Sequence, residues 1–292
     1  MTSPKRVVIV GGGPSGLSAA SELKKRGVPE VIVHEREHTA GGAPRHTDHL
    51  GFGMRDLRRI LTGPQYAARL VNAAVAQGVD VRLRSTVFER PDADAVILAT
   101  GARERPRAAR LVPGDRSAGI LTTGALQQLV QRGLFDGKRA VIVGAEHVSF
   151  SAIMTLRHAG AKAIAMVTDQ AKHQTYLPLK LATATLRRVP VITGDHIAEI
   201  HGDVRVEAVT LDSGRRIECD TVIFSGDWIP DNELARHLGI ALQTGYPAAS
   251  VDANFATNQP GIYAIGNVAH AVKAADLCAL DGRDLARHLT GR

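Results

Sequence analysis

Cysteine is nearly absent from this chain. Its 292 residues include two, Cys219 and Cys278, which lie 59 positions apart. No Cys-x-x-Cys pair occurs, which excludes a local dithiol redox centre. Two thiols cannot supply the four ligands of an iron–sulfur cluster, nor a Cys-rich zinc site. Both are expected as small buried hydrophobes. Aromatic residues are also scarce, at 4% with a single Trp. The chain carries a net charge of +7, and its basic residues, mostly Arg, are scattered rather than gathered in a tract with interleaved aromatics. Nucleic-acid binding is therefore not expected. The charge suits a dinucleotide ligand, an acidic protein partner or a plain Arg-covered surface. No apolar run approaches the roughly 18 residues that span a bilayer. The first apolar stretch is cut short by Gly11, unlike a signal peptide, so a cytoplasmic location is expected.

What is present is a regular alternation of strands and helices. Arg6–Val10 is a β-branched run of the kind buried on both faces in parallel sheets. A glycine turn follows, then a helix from Leu17 to Arg26 and a strand at Val31–Val33. Further elements are expected as a short helix around Met54–Leu61, a helix over Gln65–Gln77, and strands at Val79–Leu83 and Ala95–Ala99. The opening pattern returns about 133 residues later as strand Ala140–Val143, turn Gly144–Ser149 and helix Phe150–Ala159. Short strands at Val189–Ile192, Val204–Leu211 and Thr221–Ser225 and a closing Ala-rich helix complete the chain. Such alternation implies parallel sheets with crossover helices, and the length suits two domains.

The opening turn reads Gly11-x-Gly13-x-x-Gly16, with strand before it, helix after it, and Glu35 closing the next strand. Gly11 permits the turn, Gly13 lets backbone approach a pyrophosphate, and Gly16 brings helix and strand together. Pro14 and Ser15 open the helix, whose N-terminal N–H groups favour phosphate. Glu35 is placed to accept from a ribose hydroxyl. This is a dinucleotide site in its full context.

At this point the chain resembles the two-dinucleotide-fold flavoprotein oxidoreductases of the pyridine nucleotide–disulfide reductase type. The resemblance rests on Val31–Glu35 followed by Gly41-Gly42, on Ile97-Leu98-Ala99-Thr100-Gly101, and on Thr257 through Pro260-Gly261 to Gly266-Asn267. It implies an α/β fold of two Rossmann-like, three-layer domains, the second inserted into the first. The FAD domain would be residues 1–106 and 245–292, and the NAD(P)-binding-like domain 107–244. It implies FAD contacts at Gly11, Gly13, Pro14, Ser15, Gly16, Glu35, Arg36, Gly42, Thr100, Gly101, Gly266, Asn267, Ala274 and Ala275. The family usually has Asp where this chain has Asn267, which can still hydrogen-bond a ribityl hydroxyl. The helix after Lys273 would point its N-terminus at the flavin and stabilise its anionic reduced form.

The second turn departs from the pattern. Glu146 stands at the middle glycine position and Ser149 at the third. A carboxylate there adds bulk and like charge where a pyrophosphate would lie. This puts NAD(P)H binding in doubt, and leaves a scaffold role, an adenine nucleotide such as ATP, or NADH in a rearranged loop. Asp169, ending the next strand, would disfavour the 2′-phosphate of NADP. With no dithiol, the chain more closely resembles flavin alpha subunits of multi-component dehydrogenases, such as opine oxidase, hydroxyproline dehydrogenase and hydrogen cyanide synthase. Residues 41–66 also resemble a flavoprotein that accompanies glycerol-3-phosphate dehydrogenases. The implied activity is hydride transfer from an amine, amino-acid-like or hydroxy substrate to FAD. Electrons would pass to a second flavoprotein or iron–sulfur subunit. The alternatives are an NADH-dependent flavin reductase feeding a partner, and a non-catalytic relay subunit. Because the chain stops soon after the closing helix, the remainder of the substrate pocket is expected from another chain.

In that family the loop after the Gly41-Gly42 doublet lies beside the flavin ring. Here it reads Arg45-His46-Thr47-Asp48-His49. His46 or His49 is a candidate general base with Asp48 orienting it, and Arg45 a candidate carboxylate or flavin holder. The loop has no metal-ligand spacing. His270 and Lys273 are weighed between facing the flavin and a surface position. Trp228 is expected to pack at a domain seam. Arg103 and Arg105 are expected to contact adenosine phosphates or the other domain.

Overall fold

The computed structural model of the chain describes residues 3–175, 181, 188–270 and 272–291. It divides into two compact units, Met1–Arg103 with Trp228–Arg292, and Glu104–Asp227. The return to the first unit thus comes at Trp228, ahead of the expected 245. The reason is in the packing: Ala235 and Ile240 are buried with Val96, Leu98 and Ile262 of the first unit.

The first unit opens with β1 (Arg6–Val10), α1 (Pro14–Lys25) and β2 (Glu30–His34). A short antiparallel pair, β3 (Leu50–Phe52) and β4 (Leu61–Thr62), leads into α2 (Gly63–Ala76). Then come β5 (Asp80–Arg82), β6 (Ala95–Leu98) and β7 (Ala102–Glu104). The short helix expected around Met54–Leu61 does not form. Gly51 (φ +126°), Gly53 (φ +78°) and Arg58 (φ +52°) put the chain in the left-handed region, where a helix cannot continue.

The second unit contains α3 (Arg107–Arg110), β8 (Ile120–Thr122), α4 (Thr123–Gln131), β9 (Arg139–Val143), α5 (His147–His158) and β10 (Lys162–Thr168). It continues through β11 (Val191–Thr193), β12 (Ile197–His201), β13 (Ala208–Leu211), β14 (Arg216–Glu218) and β15 (Thr221–Phe224). The strand expected over Val204–Leu211 is shorter, because Val204 and Val206 give their backbone groups to Ala118 in an isolated bridge and β13 starts only at Ala208. Back in the first unit lie β16 (Trp228–Pro230), β17 (Ile262–Ala264) and a closing helix, Ala275–Thr290.

Both main sheets are five-stranded and parallel, ordered β17-β6-β1-β2-β5 and β11-β10-β9-β15-β8. Alternation along a strand sends successive side chains to opposite faces. Ala95 and Ile97 therefore pack with Leu17, Tyr66 and Leu285 on the helical face, while Val96 and Leu98 pack with Ile240 on the other. In the second unit Ile142 and Ile223 pack with Phe150 and Leu156 of α5. Val141, Val222 and Phe224 face the opposite way, against Ile200, Val209 and Leu211 of the antiparallel β12-β13-β14 sheet. Cys219 and Cys278 are buried and free, as expected, and burial pushes both thiols up to about 12. No helix among the described residues is long and apolar enough to cross a membrane.

Candidate flavin and nucleotide sites

In the first sheet, β1 has β2 on one side and β6 on the other, and ligands of open α/β sheets bind at the C-terminal ends of strands around such a reversal. The loops leaving these ends carry the expected residues: Gly11–Gly13 after β1, Glu35 and Arg36 after β2, Thr100 and Gly101 after β6, Gly266 and Asn267 after β17. Helix α1 begins here with Pro14 at its start, so its first N–H groups, which lack intrahelical acceptors, face the same edge.

Gly13 decides whether the space fits a dinucleotide. Its backbone, φ −86° and ψ −173°, is one that any residue adopts. A Cβ built on it would meet nothing closer than the Gly42 Cα at 3.9 Å. Neither strain nor internal crowding calls for glycine, so the open space lies on the ligand side. Gly16 differs: a Cβ there would lie 2.0 Å from the Gly11 carbonyl oxygen, so it serves the packing of helix on strand. Glu35 is buried beside the crevice. Its Oε2 accepts from Gly12 N at 3.0 Å and its Oε1 from Glu37 N at 2.9 Å. The carboxylate is thus fixed, with lone pairs left for hydroxyl donors. These residues fit FAD.

Thr100 and Gly101 are held from the return segment. Thr100 Oγ1 donates to the Asp231 carbonyl at 2.7 Å, and Asp231 N donates to Gly101 O at 2.9 Å. The buried Asp231 carboxylate pairs with Arg36 at 3.2 Å and with Arg103, which also meets Glu233 at 2.8 Å. Arg105 stands 2.9 Å from Asp227 in the second unit. Arg36, Arg103 and Arg105 are therefore each engaged with a carboxylate of their own unit.

The closing helix packs tightly on α1: a Cβ at Gly282 would come 2.2 Å from Ser15 O, and one at Gly266 would come 2.8 Å from Ser15 Oγ. Asn267 locks the segment ahead of this helix. Its Oδ1 accepts from Lys273 N at 2.8 Å and its Nδ2 donates to Lys273 O at 3.3 Å. An Asp could make the first bond but not the second. Lys273 Nζ pairs with Asp281 at 3.0 Å. His270 sits half-buried, its ring edge-on to Phe255, and burial lowers its pKa. Ala274 and Ala275 start the helix. Asp276 in its first turn is buried, accepting from Leu277 N at 3.0 Å and from Arg55 Nη1 at 3.1 Å. The helix N-terminus thus carries a carboxylate of its own, which offsets the positive end expected to face the flavin.

The Arg45–His49 loop is braced from two sides. Gly63, at the start of α2, donates to Thr47 O at 3.1 Å, and a Cβ there would lie 2.2 Å from Pro44 O. A capping box fixes that helix start, Gln65 N donating to Thr62 Oγ1 and Thr62 N to Gln65 Oε1. Arg45 turns back to Thr39, donating to its carbonyl at 2.6 Å and to its hydroxyl. It is a brace of the loop in this arrangement. His46 ends the short turn Ala43–His46 and is half-buried. His49 places Nδ1 2.9 Å from Leu50 O, with its ring 5.6 Å from Phe52, and burial lowers its pKa. The Leu50 carbonyl orients that ring, and the exposed Asp48 carboxylate acts on it through its charge.

A charged network beneath this loop carries no motif. Tyr66, fully buried, donates to Asp56 Oδ2 at 2.9 Å. Arg283 donates to Asp56 O at 3.0 Å and stands 3.6 Å from Oδ2. Burial raises the pKa of Asp56, and burial with the Asp56 charge raises that of Tyr66. An acidic residue next to a run of Arg at 55–59 was the only hint in the sequence.

In the second unit β9 lies between β10 and β15, the same reversal. Gly144, Glu146 and Ser149 form the turn into α5, with Glu146 N donating to Ser149 Oγ at 3.1 Å. Asp169 follows β10, exposed, and accepts from Gln170 Nε2 at 3.0 Å.

Residues 5–282 match the family model described as pyridine nucleotide-disulphide oxidoreductase. The chain belongs to that family. It is accordingly an FAD-dependent oxidoreductase. It is 32% identical to the biphenyl dioxygenase system ferredoxin–NAD(+) reductase component of Paraburkholderia xenovorans (strain LB400), over 90% of this chain and 67% of the relative. It is 24% identical to hydrogen cyanide synthase subunit HcnB of Pseudomonas aeruginosa, over 95% and 69% respectively. A crystal structure of T. acidophilum thioredoxin reductase superposes with a TM-score of 0.83 at 23% identity, covering 98% of both chains, which confirms the fold. With a relative named as a ferredoxin–NAD(+) reductase component, the expected loss of NAD(P)H binding finds no support in the comparisons. An adenine nucleotide such as ATP in the second domain finds no support.

Proposed function

We propose that the chain is the flavin component of a multi-component dehydrogenase or oxidase. It takes hydride from an amine, an amino-acid-like compound or a hydroxy compound and passes electrons to a partner, a second flavoprotein or an iron–sulfur subunit. Bound FAD supplies hydride acceptance and electron release. The observation that carries the reading is the open space at Gly13, against the N-terminus of α1 and beside the fixed Glu35 carboxylate. The need for a partner comes from the cysteine inventory: two buried thiols, each pushed up to about 12, form no dithiol relay within this chain.

His49 is the base in this reading. Burial lowers its pKa, so it is neutral at pH 7. A carbonyl only accepts, so the bond to Leu50 O places the proton on Nδ1 and leaves Nε2 as the basic nitrogen. It takes the N–H or O–H proton of the donor as hydride departs. His46 lines the same loop, and Arg45 holds that loop to Thr39.

A second reading, an NADH-dependent flavin reductase feeding a partner, is favoured by the second glycine turn at its own strand reversal and by the 32%-identical relative. Anaerobic stopped-flow mixing of the FAD-loaded chain separates the two. Bleaching of the flavin's visible band by amines, amino acids or hydroxy acids, and not by NADH, is expected. Rapid bleaching by NADH alone would replace the first reading with the second.

A further inference from the structure

The chain presents one turn twice with opposite contents. Gly13 and Glu146 are the N-cap residues of α1 and α5, and their backbones coincide at φ −86°, ψ −173° and φ −87°, ψ 176°. At Gly13 the side-chain position is open. At Glu146 it is filled by a carboxylate that reaches across to the loop after β15. A Cβ added at Gly226 would lie 2.4 Å from Glu146 Oε1, and that oxygen stands 3.5 Å from Asp227 N. The side chain therefore spans the reversal between β9 and β15, where a dinucleotide would lay its pyrophosphate.

The loop beneath it is held on both sides. Buried Glu104 accepts from Gly226 N at 3.3 Å and from Gly124 N at 2.8 Å. Arg110 donates to Gly226 O at 2.8 Å and to Ser225 O at 3.1 Å. The loop is thereby fixed, and an incoming ligand must move Glu146 rather than Gly226. A Glu side chain has rotatable bonds enough to do so.

We propose that Glu146 is an internal, displaceable anion that occupies the pyrophosphate position of the second crevice and sets its affinity for nicotinamide dinucleotides. NADH enters only by turning the carboxylate out, and two like charges held a few ångströms apart make that displacement costly. Glu146 is thus an affinity-determining residue rather than a catalytic one. The proposal rests on the reading that the second crevice is a dinucleotide site.

The test uses the FAD-loaded full chain and 1,4,5,6-tetrahydro-NAD, an NADH analogue that cannot give up hydride. Its Kd is measured by isothermal titration for wild type, Glu146→Gln and Glu146→Gly. Flavin content and thermal unfolding are recorded for each, and Glu146→Gln decides the matter alone if the glycine variant does not fold. The expected result is a Kd lowered about tenfold or more in Glu146→Gly, with a smaller gain in Glu146→Gln, which sheds charge but keeps bulk. Equal or weaker binding by the variants, with measurable binding by wild type, overturns the role of Glu146 and leaves the dinucleotide site standing. No binding by any of the three overturns both.

Discussion

Gly13 offers the sharpest separation of ligand binding from folding. Its φ and ψ suit any residue, and a Cβ would have 3.9 Å to its nearest neighbour. Gly13→Ala should leave the flavin-free chain within about 1 kcal/mol of wild type, the less flexible unfolded state offsetting the poorer N-cap. Gly13→Glu, which copies the residue at the matching turn, should also fold. Gly16→Ala should not be neutral: its Cβ would lie 2.0 Å from Gly11 O, 3.2 Å from Ile9 Cγ2 and 3.3 Å from Ala99 Cβ, parting helix from strand. A cost of about 1–3 kcal/mol is expected from such overpacking. Urea unfolding of the flavin-free forms reads these terms, and titration with FAD reads affinity. FAD at a hundred times its Kd stabilises by about 2.7 kcal/mol, and Gly13→Glu should forfeit that increment. The reasoning fails if flavin-free Gly13→Glu unfolds several kcal/mol early, or if it binds FAD like wild type.

Four further outcomes follow from the geometry. Tyr66→Phe removes the donor to buried Asp56 and should cost about 1–2 kcal/mol in urea unfolding. Gly282→Ala forces a Cβ to within 2.2 Å of Ser15 O, so the thermal midpoint should drop by several degrees, read by calorimetry. Burial depresses the pKa of His34, His49 and His270 below the unfolded value of about 6.5. The unfolded chain then binds more protons, so the stability present above that pH is lost as pH falls through the folded values. Buried Asp56 and Glu104, whose pKa values are raised, act in the opposite sense, so the test is the difference: relative to wild type, His49→Gln should gain unfolding free energy as pH falls from about 7.5 to about 5.5, and an unchanged difference removes His49 from the account. With both thiols pushed up to about 12, neither Cys219 nor Cys278 should be alkylated by iodoacetamide in the folded chain near neutral pH, whereas both should be after denaturation, as mass spectrometry would record.

The glycine turn, Glu35 and the β6 and β17 strand ends were legible because their spacing reflects backbone geometry local to each turn. The hairpin at Leu50–Thr62 was not. Met54, Leu57 and Leu61 have helical spacing, and the left-handed conformation of Arg58 leaves no mark in composition. Pairs between distant positions were equally invisible. Asp56 meets Tyr66 ten residues away but Arg283 at the far end of the chain, and Asp276 meets Arg55. The motif around Asn267 points to a ligand contact, yet its amide is used on the two backbone groups of Lys273, a bond pattern that also explains why Asn stands there. The residue type of Arg45 points to an anion holder, while its guanidinium donates to Thr39. Residue type predicted the chemistry available at these positions; only packing decided where it was spent.

Two five-stranded parallel sheets, each with a helix entered through the same backbone conformation, give this chain two candidate crevices. What separates them is one side chain. At Gly13 the protein leaves a position empty that nothing in its own fold requires to be empty, so the vacancy is paid for by a ligand or by nothing. At Glu146 it fills that position with a carboxylate braced against a loop that Glu104 and Arg110 hold still. A chain that merely needed a scaffold domain could have filled the turn with any small or apolar residue. An anion at the anion position keeps the N-terminus of α5 complemented while the crevice stands ready, and it yields to a stronger anion. The asymmetry therefore argues for a crevice open to a ligand at Gly13 and one held by an internal anion at Glu146.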